Sequence, residues 1–96
     1  MARLQVEVRP GAGVFGYSLF VDGVPVTMGA GHRGEAPCDG RFGDGSRHAL
    51  MYSFSGAPGA TLTMVLKCRG ATLCRVVSAP IAEPGARGAG RHLFDL

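Results

Sequence analysis

The chain has no tryptophan, a single lysine among its ten basic residues, and three cysteines. It has no apolar run near the ~20 residues that a membrane-spanning helix requires, and no long stretch with helical periodicity. Each absence excludes something. Without tryptophan the Cys…Trp…Cys signature of antibody domains is missing. Without an apolar run, the 46% hydrophobic content, much of it alanine, is not a membrane signal. The opening Met-Ala-Arg-Leu-Gln-Val-Glu-Val alternates instead of forming an apolar h-region, so no secretory leader is expected. An odd number of cysteines, Cys38, Cys68 and Cys74, then points to free thiols in a reducing compartment. A bacterial cytoplasm is the expected location. There is no basic run either: the net charge of +3 comes from scattered arginines, a bias that a GC-rich genome explains as well as phosphate binding does.

What is present alternates with period two. Residues 3–9 set Leu4, Val6 and Val8 against Arg3, Gln5, Glu7 and Arg9, a half-buried strand. Val14 to Met28 is two alternating runs joined by Asp22-Gly23, the dipeptide that best supports a type I′ turn. That turn predicts Val21 opposite Val24, Leu19 opposite Val26 and Tyr17 opposite Met28. Phe15, Tyr17, Leu19, Val21, Val24, Val26 and Met28 then share one face, and Pro25 marks an edge strand. Residues 47–55 place Leu50, Tyr52 and Phe54 together. Residues 61–68 do the same for Leu62, Met64, Leu66 and Cys68, and a five-residue turn is expected to pair these two strands as a hairpin. A three-residue loop, Arg69-Gly70-Ala71, predicts Leu66 opposite Cys74 and Met64 opposite Val76. Residues 80–90 read as a Pro/Gly/Ala-rich connection before a final strand at 91–96. Residues 29–46 have neither period and read as one long glycine-dense loop.

About seven short strands with turn signals between them predict a single all-β domain over residues 1–96. The expected architecture is a small antiparallel β-sandwich, Ig-like in layout only, with a small β-barrel as the alternative.

The chemistry-bearing residues form no recognised grammar. Gly29-Ala-Gly31-His-Arg-Gly34 matches the dinucleotide fingerprint in letters, but Pro37 and further glycines follow where a helix is needed. His32, Cys38, Asp39 and Asp44 share the long loop without a zinc spacing. Asp39 and Asp44 lack the glutamate of a calcium loop and read as turn-forming Asp-Gly steps. His48 and His92 each begin a strand and read as exposed edge residues. No catalytic residue, metal ligand or cofactor is assigned.

The expected function is therefore a non-enzymatic interaction module. It would bind a protein partner, or a second copy of itself, through the 29–46 loop and an edge strand, with no membrane role. His32, Arg33, Cys38, Asp39, Arg41, Phe42 and Phe20 are the expected contact residues, Phe20 and Phe42 because they leave the predicted core faces. Removal of residues 30–44 is expected to spare the fold. The alternatives are a metal- or thiol-dependent protein using His32, Cys38 and Asp39, and a weak nucleic-acid binder using Phe20 and Phe42 with Arg33, Arg41 and Arg47.

Overall fold

A computed structural model describes residues 2–96. They form two antiparallel sheets packed face to face: a β-sandwich, with no helix beyond a single 3-10 turn at Ala30–His32. The strands are β1 (Ala2–Pro10), β2 (Val14–Val21), β3 (Val24–Pro25), β4 (Thr27–Met28), β5 (Arg33–Cys38), β6 (Arg47–Gly56), β7 (Leu62–Cys68), β8 (Ala71–Val77) and β9 (Arg87–Asp95). One sheet has the order β4-β5-β1-β7-β8, the other β3-β2-β6-β9. Leu4, Val6, Val8, Leu62, Met64 and Leu66 from the first meet Leu19, Val21, Leu50, Phe54 and Phe94 from the second in one buried core. Among the described residues no helix is long and apolar enough to cross a membrane.

The Asp22-Gly23 turn forms as expected, with positive φ at both residues and Val21 opposite Val24. The strand after it does not run on to Met28. Val26 still donates its N–H to the Leu19 carbonyl, but the chain then leaves this sheet, and Thr27–Met28 pairs with β5 in the other. The predicted Tyr17–Met28 pair is thus replaced by a crossing between layers. At the start of β2, a bulge between Val14 and Gly16 leaves Phe15 without a cross-strand partner and turns it outward, 77% exposed. A bulged residue escapes the alternation that its neighbours obey.

A third of the expected long loop is also strand. β5 runs antiparallel to β1, with Leu4 opposite Ala36 and Ala2 opposite Cys38. Its inward residues are small (Ala36, Cys38), so they leave little hydrophobic signal. Pro37 is tolerated because β4 reaches only Gly34 and Glu35, leaving β5 unpaired on that side further on. Removing residues 30–44 would delete this strand, so that span is not dispensable. The predicted β6–β7 hairpin is an arch instead: β6 pairs with β2 and β9, β7 with β1 and β8. The inward faces assigned to the two strands are as predicted, but they face each other across the core. The β7–β8 turn is shortened to Arg69-Gly70, and a bulge between Leu66 and Lys67 restores the predicted Leu66–Cys74 and Met64–Val76 pairs.

β9 begins at Arg87, inside the expected connection. Gly88 and Gly90 lie opposite Phe54 and Tyr52, and a Cβ on either glycine would overlap the facing ring. Aromatic rings thus fill the space above the glycines and complete this edge strand.

Candidate functional site

Only two polar residues are buried among those described, Ser78 and His48. Ser78 is accounted for locally, since its Oγ accepts the Leu62 N–H at 2.8 Å. His48 lies at the start of β6 with its ring turned inward, 8% exposed, and not at an exposed edge as expected. It sits on the same alternating face as Leu50, Tyr52 and Phe54. That parity is the signal in the sequence that would have placed it correctly.

A polar chain is built around this imidazole. His48 Nδ1 lies 2.6 Å from Asp22 Oδ2, and Asp22 Oδ1 accepts the Ala49 N–H at 2.9 Å. His48 Nε2 lies 2.8 Å from Ser46 Oγ, which is 2.6 Å from Asp44 Oδ1. Asp44 also accepts the backbone N–H groups of Arg41 and Ser46. The β2–β3 turn, the 39–46 loop and the start of β6 supply these groups. Burial raises the Asp22 carboxyl, but the Ala49 N–H and the His48 ring outweigh it and hold it below its ordinary value. The Ser46 hydroxyl, with the Arg41 and Ser46 amides, lowers Asp44 to about 2. Cys38 points into the same place from the end of β5, 2% exposed. Burial, then the nearby carboxylates, pushes its thiol up to about 11.

Asp22–His48–Ser46 has the connectivity of a hydrolytic triad. The surroundings do not match one. The Ser46 hydroxyl is engaged by Asp44 at 2.6 Å, and the His48 ring is buried. Cys38, held as a neutral thiol, is a poor nucleophile.

The expected contact residues do not converge. His32 is exposed in the 3-10 turn, where Tyr17 Oη meets its Nδ1 at 2.7 Å. Arg33 begins β5 and Cys38 ends it, which separates His32 from Cys38 by roughly 20 Å at ~3.3 Å per residue. A shared site for His32, Cys38 and Asp39 is therefore not formed. Asp39 is exposed beside Cys38. Arg41 and Phe42 border an open cleft of about 670 Å³ together with Arg3 and Arg69, at the end of the sandwich. Phe20 lies elsewhere, on the outer face of the four-stranded sheet.

That outer face carries a cluster of apolar side chains in contact with solvent. Phe20, Met51 and Arg91 form a row across β2, β6 and β9. Met51 is 46% and Leu93 47% exposed. Phe20, Met51, Ala89, Gly90 and Arg91 border a groove of about 470 Å³. Arg47 is bound to Asp95 at 3.1 Å, while Arg91 has no ion-pair partner among the described residues. β9 is the edge of this sheet, and its nine residues contain no proline or bulge to block a further strand.

Comparison with protein-family models, curated proteins and solved structures finds no match for this chain.

Proposed function

We propose that the protein is a non-enzymatic interaction module that takes an extended acidic segment of a partner protein along β9 and across the adjoining sheet face. The observation that carries this reading is the Phe20–Met51–Arg91 row, flanked by Leu93, at the open edge of a long strand. Strand addition supplies main-chain hydrogen bonds, and the apolar row with its cationic rim supplies selectivity. Arg87 and Arg91 favour carboxylates on the incoming strand. A second copy fits less well: pairing two β9 strands over their full length sets Arg91 against Arg91 at the centre, while the Asp95 that each Arg87 would face is already bound to Arg47. Nucleic acid is disfavoured because the cleft that gathers Arg3, Arg41 and Arg69 has Phe42 as its single aromatic and Arg3 there is already bound to Glu35, so no row of stacking platforms accompanies the charge. In this reading the sheet face replaces the 29–46 loop as the principal contact. Three free thiols support a reducing, cytoplasmic setting.

The test is fluorescence anisotropy with a labelled peptide of alternating Glu and Val. Binding should weaken as salt rises. Arg91→Glu and Met51→Glu should each weaken it by about tenfold or more, ~1.4 kcal/mol, while Arg41→Glu leaves it unchanged. Absence of binding at low salt, tighter binding of single-stranded DNA, or a β9-dependent dimer in sedimentation equilibrium would overturn the proposal.

A further inference from the structure

We infer that Asp22, Cys38 and His48 form a binding site for one zinc-like divalent cation that pins the two sheets together. A Cys38 Sγ, an Asp22 carboxylate oxygen and a His48 ring nitrogen all lie within 4.8 Å of one another. Thiolate, imidazole and carboxylate are the donor types that zinc takes in four-coordinate sites. They come from three separated places in the chain: the β2–β3 turn, the end of β5 and the start of β6. Those elements belong to both sheets, so one ion would cross-link the layers.

A second feature points the same way. A metal-ligating histidine characteristically gives its other ring N–H to an oriented acceptor, which fixes the tautomer and aims the free nitrogen. Here Nε2 is held by Ser46 Oγ at 2.8 Å, and Ser46 in turn by Asp44 at 2.6 Å. That leaves Nδ1 facing Asp22 at 2.6 Å. Zinc bonds of ~2.0–2.2 Å set tetrahedral N and O ligands about 3.3 Å apart, so the His48–Asp22 pair needs to open by less than about 1 Å. Asp22 keeps its Ala49 bond through Oδ1. A cleft of about 170 Å³ is lined in part by Asp22, Cys38 and Asp39, so two of the three ligands border open space and water would supply the fourth position. On binding, the Cys38 thiol loses its proton to solvent and the neutral imidazole carries its proton on Nε2. No electron is transferred. The site is distinct from the β9 surface, and either can fail without the other.

The test is titration of the purified full chain with cobalt(II) as a spectroscopic stand-in for zinc. One equivalent should bind and produce a thiolate-to-metal charge-transfer band with tetrahedral ligand-field bands. Cys38→Ser should abolish the charge-transfer band, while Cys68→Ser and Cys74→Ser retain it. Ser46→Ala, which keeps all three ligands, should weaken binding by about tenfold or more. Because Cys38 is buried, a second readout guards against misfolding: zinc should raise the melting temperature of the wild type and not that of Asp22→Asn. No thiolate band, a band that survives Cys38→Ser, or an equal thermal shift in Asp22→Asn would each overturn the site.

Discussion

At the scale of single residues, several positions act in ways their type does not announce. Gly88 and Gly90 contribute by having no side chain, since Phe54 and Tyr52 occupy the space above them. Gly88→Ala should therefore destabilise the fold by about 1–3 kcal/mol, the usual cost of overpacking. Urea denaturation measures this, and an unchanged midpoint would contradict the packing described. Asp44 holds the 39–46 loop through its carboxylate. Its folded value of about 2 lies below the ordinary 3.8, so its contribution is present above pH 3.8 and is lost as pH falls through about 2. Asp44→Asn should flatten acid unfolding in that window, and identical acid curves for variant and wild type would count against this role. His48 was legible by parity with Leu50 and Phe54. Its partners were not: Asp22 is explained fully as a turn residue until the fold brings His48 beside it.

At the scale of elements, local arithmetic succeeded where two strands are joined by a turn and failed where the chain changes sheet. The Asp22-Gly23 turn follows from short-range sterics, and the Leu66–Cys74 pair follows from alternation, reached through a two-residue turn and a bulge in place of the expected three-residue loop. The departure after Val26 and the β6–β7 arch do not. An inward-facing Val26 or Leu62 buries the same surface whichever sheet holds it, so alternation alone cannot choose the layer. β5 escaped notice for a different reason: Gly34, Ala36 and Cys38 on its inner face carry too little apolar mass to stand out from a glycine-rich loop. The β7–β8 turn makes a prediction at this scale. Arg69 sits at positive φ ahead of Gly70, where asparagine is favoured. Arg69→Asn should stabilise the protein by roughly 0.5–1 kcal/mol through relief of that conformation, read as a higher thermal midpoint. A lower midpoint would mean that the arginine side chain makes a contact worth more than the relief.

At the scale of the whole molecule, period-two patterning without helical stretches made the sandwich readable, while the functional surfaces depend on which strands end up at edges. Phe20 was visible as an outward residue. Met51 was likewise on the face opposite Leu50 and Phe54, but that Phe20, Met51, Arg91 and Leu93 lie together was not visible, because they meet only through the β2-β6-β9 order. In the same way, Cys38 was singled out with loop neighbours that the fold carries away, and it meets Asp22 and His48 instead. Partner binding is assigned to one surface, and amide chemical-shift mapping with the acidic Glu/Val peptide addresses it most directly. It predicts saturable shifts concentrated on β9 and on β6 around Met51, with the Arg3–Arg41–Arg69 cleft unaffected. Shifts confined to that cleft, or none at all, would contradict it.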